Sequence, residues 1–396
     1  MTNNKSGNIF LSDFSLVNAL GNNNQDIKQN MLAGIRAGLV ERDGLLNEGN
    51  LFVGEVNANL PTLEDKPDHF KTRNNQLAKL ALLALEKEIE EVKLTTPSHR
   101  IGVIVGTSTS GIFEGEQAVV AKNNQGEFPE SYDYRMQEMF NLAEFISDEL
   151  NISGPAYTIS TACSSSAKAF ITAKELMLAG IIDAAIVGGV DSLCGMTVNG
   201  FSALDSTSSG ICQPSSINRD GINLGEAAAL CVLRQDKGEV KLLGCGESSD
   251  AHHMSAPHPE GEGAVSAMQQ TLIQAQLKAS DVDYINLHGT ATKKNDSMEA
   301  IAVEQVFGTQ TPCSSVKGMI GHTLGAAGAT ELGLCWLMLT QDNELYIPHC
   351  WDEARDEALP LIALTSVGQK KEGGFNACLS NSFAFGGNNV SVLIGK

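Results

Sequence analysis

The sequence predicts an α/β protein built from two similar halves, and three observations carry that prediction. Short apolar runs such as Ile101-Gly102-Val103-Ile104-Val105-Gly106 and Ala184-Ala185-Ile186-Val187-Gly188-Gly189 alternate with longer stretches at helical spacing. Hydrophobic residues make up 42% of the chain and aromatics only 5%, with 39 glycines, a mixture suited to tight turns and close helix-on-sheet packing. The pattern then restarts near Gly238, so that 1–238 and 239–396 each carry a strand, a reactive-looking joint and a small-residue helix. A chain of 396 residues can bury a large core, and no low-complexity linker divides it, which predicts one compact body.

The elements follow in order. Asn8 to Leu20 alternates loosely as a first strand and turn, followed by an Asn-rich loop. Phe70 to Arg73 leads into a helix with Leu77, Leu80, Ala81, Ala84 and Leu85 on one face. Pro97 ends it, and Ile101 to Gly106 is a buried strand closed by the hydroxyl-rich turn Thr107 to Gly111. Tyr134 to Leu150 is predicted helical, and Gly154-Pro155 breaks the chain before a strand at Tyr157 to Thr161. A helix carrying Ala167, Phe170, Ile171, Met177 and Leu178 stops at Gly180, before the strand at Ala184. In the second half, Val240 to Leu243, Val282 to Leu287, Ser314 to Lys317, Leu361 to Ser366 and Asn389 to Ile394 are predicted strands. Gly263 to Leu277 and Gly325 to Thr340 are predicted helices.

Composition excludes several classes of function. A formal charge of −20 disfavours nucleic acid and anionic membrane as partners. The polar start, Met1 to Asn8, does not read as a signal peptide, and the late apolar run Leu334 to Leu339 is too short to cross a bilayer. Nine cysteines, an odd number with no CxxC pair, predict reduced thiols and a cytoplasmic location. No phosphate-binding GxxxxGK[ST] and no GxGxxG after a strand is present.

Thr161-Ala162-Cys163 ends a strand and is followed by Ser164-Ser165-Ser166 and a helix. A cysteine at such a joint meets unpaired backbone N–H groups and the positive end of the helix dipole, both of which favour thiolate. The same N–H groups can hold the oxyanion formed when sulfur attacks a carbonyl. Taken alone, Cys163 reads more readily as a small buried apolar residue than as a nucleophile. Two histidines shift the balance: His288 ends a strand in Leu287-His288-Gly289-Thr290-Ala291-Thr292, and His322 sits in Lys317-Gly318-Met319-Ile320-Gly321-His322. Both stand among glycines and hydroxyls at strand ends, where α/β folds place their sites. His252, His253 and His258 fit no common zinc spacing, and no metal is expected.

Thr161-Ala-Cys163-Ser-Ser-Ser, His288-Gly-Thr-Ala-Thr, Lys317-Gly-Met-Ile-Gly-His322 and Asn381-Ser-Phe-Ala-Phe385-Gly-Gly-Asn resemble, in order, the four signatures of elongating β-ketoacyl-acyl carrier protein synthases. The similarity runs from about Arg100 to the C-terminus and is weaker before it. It implies a thiolase-like fold, two βαβαβαββ halves in a five-layer αβαβα arrangement, dimeric across the Cys163-bearing half. By position, Cys163 would take an acyl chain as a thioester, while His288 and His322 would hold a malonyl thioester carbonyl through loss of CO2 before a Claisen condensation. Lys317 would bias the charge of the site with Glu331 as counter-ion. Asp296 and Glu299, with Thr290 and Thr292, would brace the His288 loop. The N–H groups of Cys163 and Phe385 would form the oxyanion hole, with Phe385 and Phe383 in the gating loop. No cofactor is implied beyond the phosphopantetheine that the acyl carrier protein brings.

Departures from the pattern matter as much. Lys293-Lys294-Asn295 stands in the loop after His288 where a proline and small residues are usual, and Ala384 and Asn388 replace glycine and threonine in the gating loop. Thr109 falls where a bulkier aliphatic sets acyl-pocket depth, and Cys212-Gln213-Pro214 lacks an arginine used in carrier docking. Lys66, Lys71, Arg73 and Arg219 are the candidate docking residues, with an ordinary solvated surface as the competing reading. The resemblance leaves open a homodimer or a heterodimer with a homologous chain-length-factor subunit, and fatty-acid, aryl-polyene or polyketide synthesis. Two alternatives are a non-catalytic chain-length-factor-like subunit, which usually replaces the cysteine, and another thiolase-fold acyltransferase, which would lack this pair of histidines.

Overall fold

The structure, a computed structural model, describes residues 7–340 and 343–396; residues 1–6, which carry most of the polar start, lie outside the described residues. The first half runs β1 (Phe10–Val17), α1 (Asn24–Leu32), β2 (Leu39–Arg42), β3 (Leu51–Gly54), α2 (Arg73–Thr95), β4 (Ile101–Gly106), α3 (Ile112–Gln125) and α4 (Asn141–Leu150). It continues with β5 (Ala156–Ile159), α5 (Ser165–Leu178), β6 (Ala184–Asp191), α6 (Gly195–Ala203), β7 (Leu224–Gly225) and β8 (Ala227–Arg234). The second half runs β9 (Val240–Ser249), α7 (Glu262–Ala275), β10 (Tyr284–Asn286), α8 (Lys293–Phe307), β11 (Pro312–Ser314) and α9 (Lys317–Ile320). It ends with α10 (Ala327–Leu339), β12 (Ala363–Leu364), β13 (Ala377–Ala384) and β14 (Asn388–Gly395).

The principal strands fall into two sets of one topology. One is ordered β1-β8-β6-β4-β5, the other β9-β14-β13-β10-β11 with β12 added at the edge. In each set the two outer pairs are parallel (β4 with β5 and β6; β10 with β11 and β13) and the two pairs nearer the β1/β9 join antiparallel. The sets join where β1 meets β9 through only two residue pairs, Phe10 with Lys241 and Leu11 with Val240. Parallel strands need both faces covered, and helices supply the cover. Helices α2 and α4 lie on one outer face, α7 and α8 on the other, and α5 and α10 pack against each other between the sheets. The result is the αβαβα order that the motifs imply.

Small residues allow that central layer to close. A Cβ on Gly106 would stand 2.4 Å from the backbone nitrogen of Ser166, and one on Gly328 would stand 2.8 Å from that of Ala167. At both places only glycine lets a strand or helix reach the head of α5. Ser166 then accepts the Ala329 N–H at 2.9 Å, tying α10 to α5.

Several expectations need correcting. The Asn-rich stretch is a loop only as far as Asn23, whose side chain caps α1. On α2 the buried stripe runs through Leu77, Ala78, Ala81, Leu82 and Leu85, so Leu80 and Ala84 sit at its margin or beyond it. The strand at Ser314 stops there, because Lys317 opens a helix. Lys293-Lys294-Asn295 is the first turn of α8, not a loop. The strands β8 and β13, both buried along their whole length, have no counterpart in the sequence reading.

Candidate active site

Four chain segments far apart in sequence converge at the head of α5. Ala162 adopts a left-handed φ of +53°, as do Ala291 at +62° and Leu324 at +51°, a conformation costly for a residue with a Cβ. The turn at Ala162 presents Cys163 just before α5, where Ser164 and Ser165 fold their hydroxyls back onto the Thr161 and Ala162 carbonyls. Nε2 of His322 lies 2.9 Å from Cys163 Sγ. The His288 ring stands edge-on to that of His322, centroids 5.4 Å apart at 84°, with Phe383 beyond it at 6.3 Å. One nitrogen of each imidazole and the sulfur all lie within 4.8 Å of one another.

Each imidazole is positioned through its backbone. Glu299 accepts the N–H groups of His288 and Gly289, both at 2.7 Å, one on each carboxylate oxygen. Lys317 donates to the His288 carbonyl and to Glu331; both side chains of that ion pair are 1% exposed. Asp296 accepts the Ser215 N–H at 2.8 Å and so braces the chain beside α8. Thr290 and Thr292 join hydroxyls at 2.9 Å.

Burial governs the protonation of the site. It pushes the Cys163 thiol up to about 11, against the opposing pull of Lys317 and of the backbone N–H groups of Phe385 and Cys163 itself. The resting group is therefore a thiol, and the thiolate expected from the helix terminus alone does not form, because desolvation outweighs the local donors. Burial, reinforced by Lys317, drives both His288 and His322 well below the usual imidazole range, so each ring is neutral at pH 7 with one N–H to give. Glu299 and Glu331 are raised to about 7, again chiefly by burial.

Cys163 stands where two cavities meet. The larger, about 450 Å³, also reaches His288, His322, Thr290, Thr292, Lys293, Lys294, Arg219, Phe383 and Phe385. The smaller, about 290 Å³, is walled by Ser108, Ser160, Ala162, Thr197, Phe201, Leu324 and Phe385. Phe201 and Phe385, with ring centroids 5.6 Å apart, border both. The side chain at the smaller cavity is Ser108 rather than Thr109, whose hydroxyl turns away to Asp191 at 2.7 Å.

The four docking candidates are all engaged within the chain. Lys66 pairs with Asp148 and Glu149, Lys71 with Asp68 and Glu64, and Arg73 with the buried Glu226. Arg219 is 4% exposed and bound to Asp356. Sequence reasoning missed Asp191, which accepts four donors from Thr107, Ser108 and Thr109 on one oxygen and the Ala326 N–H on the other. It also missed His349, which accepts the Ser315 N–H and bonds the Pro214 carbonyl, fixing the approach to Lys317. No short motif marks either residue, since their partners come from other segments. Of the three histidines set aside as metal ligands, His253 accepts N–H groups from Ser255 and Ala256.

The sequence models for the N-terminal and C-terminal domains of β-ketoacyl synthase match residues 40–238 and 240–349. The chain is similar to 3-oxoacyl-[acyl-carrier-protein] synthase 2 of Rhizobium meliloti, at 32% identity over 84% of this chain and 82% of the relative. It is similar to the protein of that name from Coxiella burnetii at 30% identity, over 98% of both. Among solved structures, a ketosynthase from Xenorhabdus doucetiae in complex with its chain length factor is 44% identical, covering 100% of this chain and 99% of that one with a TM-score of 0.93. A β-ketoacyl synthase from Burkholderia phymatum is 25% identical over 98% and 99%, with a TM-score of 0.83.

Proposed function

The chain belongs to the β-ketoacyl synthase family, and from that premise we propose how its own residues divide the work of a decarboxylating condensation. It is a condensing acyltransferase, a 3-oxoacyl-[acyl-carrier-protein] synthase. The observation that carries the division of roles is the His322 nitrogen 2.9 Å from Cys163 Sγ with a second neutral imidazole edge-on to it.

Cys163 sulfur attacks the carbonyl of an acyl thioester delivered by acyl carrier protein. The N–H groups of Cys163 and Phe385 hold the oxyanion, the carrier's sulfur leaves, and it takes up the proton that Cys163 gives up. Because the thiol starts protonated and the product thiol ends protonated, the exchange needs no net base. His288 and His322 then donate N–H to the carbonyl of malonyl carrier protein. The bond to the carboxylate breaks, CO2 departs, and its electron pair passes into an enolate whose oxygen the two donors hold. Each such donor contributes about 3–4 kcal/mol in a water-excluded site. Neutral imidazoles suit this role, since the cation of Lys317 already biases the site. The enolate carbon attacks the acyl–Cys163 carbonyl and the carbon–sulfur bond breaks; the electron pair stays on sulfur, which takes up one proton from solvent, and a 3-oxoacyl chain two carbons longer leaves on the carrier.

Glu299 and Asp296 brace the His288 segment, Glu331 balances Lys317, and Phe385 and Phe383 form the gate. The protein requires no cofactor of its own, because the phosphopantetheine arrives on the carrier. Nine unpaired, buried cysteines favour a cytoplasmic setting. The 44% identity to a ketosynthase solved with its chain length factor supports pairing with a homologous subunit of that kind, in a specialised aryl-polyene or polyketide-like pathway. The free edge of the sheet at β5, with Tyr157 exposed, offers such a subunit a strand to continue. Incubation with acyl and malonyl carrier protein, with and without the neighbouring subunit, tests the assignment. Turnover of saturated chains by the protein alone counts against the two-subunit pathway.

A further inference from the structure

We propose that Lys293 and Lys294 bind the phosphodiester that joins a phosphopantetheine arm to its carrier. The inference rests on the reading that such an arm enters the larger cavity with its thioester at Cys163. Cys163 and His288 line that cavity together with both lysines, and the lysines are exposed. Lys294 lies six positions beyond His288, a path of at most about 22 Å, within reach of an extended arm. The arm's one charged group lies at the end away from its sulfur, so it must come to rest near the cavity's outer end. Along the same stretch Thr290 and Thr292 present hydroxyls, which suit the arm's amides.

Nothing within the fold accounts for two cations at this place. They are the first two residues of α8, where a positive charge opposes the helix dipole. Neither forms a salt bridge or a side-chain hydrogen bond among the described residues. Lys293 only adds a minor pull on the Asp356 carboxyl, behind Arg219. Lys66, Lys71, Arg73 and Lys237, in contrast, all have carboxylate partners, as a chain of net charge −20 readily provides. Arg219 lines the same cavity, yet its charge is engaged by Asp356. Asp205 and Asp220 also border the mouth, so an anion there depends on the lysines to outweigh them. An anionic ligand would relieve the unfavourable placement of both lysines at once.

The test compares two detached substrates, an acyl-pantetheine and the same acyl-4′-phosphopantetheine, by the rate at which each acylates Cys163, read by intact-protein mass. The expected wild-type preference for the phosphorylated form is about tenfold. In the Lys293→Ala/Lys294→Ala double variant the preference falls to about twofold or less, and the double arginine variant restores it. The alanine pair is expected to melt at the same temperature as wild type or higher, since it removes charge opposed to the dipole. An unchanged preference in the alanine variant overturns the proposal. So does a defect seen only with intact acyl carrier protein, which would assign the lysines to the carrier's surface, or a drop in melting temperature that accounts for the loss. Failure of wild type to accept an acyl group from either compound or from the carrier would instead remove the underlying assignment of function.

Discussion

Lys317 donates its ammonium to the backbone carbonyl of His288, so the cation at the base of the site is bound to the strand end that carries one of its imidazoles. The same nitrogen bonds Glu331, and both side chains are buried. Removing one partner of such a pair leaves an uncompensated charge. Lys317→Ala is expected to cost about 3–5 kcal/mol in urea unfolding, whereas Lys317→Met with Glu331→Leu recovers most of that loss and stays inactive. A double variant as unstable as the single one would show that the pair's charge is not what the fold depends on.

Decarboxylation should depend on the imidazoles and not on the sulfur. His288→Ala and His322→Ala are each expected to slow CO2 release from a malonyl thioester by about 10²–10³-fold. Cys163→Ala abolishes condensation while CO2 release persists. Release of radiolabelled CO2 separates the two steps, and equal loss in all three variants would contradict the division.

Stability should fall in acid through His349, whose ring burial holds at about 4. Above the unfolded value near 6.5 both states are neutral and its contribution is complete. Below that value the unfolded chain takes the proton first, so stability is lost until the pH passes the folded value. The window from about 6.5 to 4 corresponds to roughly 3 kcal/mol. His349→Asn should remove this part of the pH dependence in urea titrations at pH 7 and pH 4.5. An unaltered difference between the two pH values would refute it.

Asp191 gathers five donors behind the turn that carries Ser108 to the smaller cavity. Asp191→Ala leaves them unpaired and is expected to cost more than about 3 kcal/mol. Asp191→Asn keeps one acceptor oxygen for the cluster and should cost less. The check is thermal unfolding together with the chain-length profile of acylation, because Ser108 would lose its anchor. Equal stability in both variants would mean that the donors find other partners.

The candidate site was legible because it lies in short contiguous stretches: Thr161 to Ser166, His288 to Thr292, Lys317 to His322 and Asn381 to Asn388 each carry their own glycines or hydroxyls. What surrounds that site was not legible. Lys66, Lys71 and Arg73 looked like free surface cations, yet their partners Asp148, Asp68 and Glu226 come from elsewhere in the fold or the turn before α2. Asp191 and His349 act on backbone groups of other segments, which leaves no periodic trace. Which way Thr109 turns was not legible either, because Asp191, from another segment, holds its hydroxyl. The thiolate was expected from the helix terminus, but burial, a property of the assembled fold, keeps the proton on sulfur.

The most direct test follows wild-type protein and the His288→Ala and His322→Ala variants by intact mass while acyl carrier protein, then malonyl carrier protein, is added with the homologous subunit present. The account predicts an acyl adduct on Cys163 in all three proteins, discharged only in wild type, as a 3-oxoacyl carrier two carbons longer with one CO2 released. An adduct that the variants discharge as readily, or a product that retains the malonyl carboxylate, would contradict it.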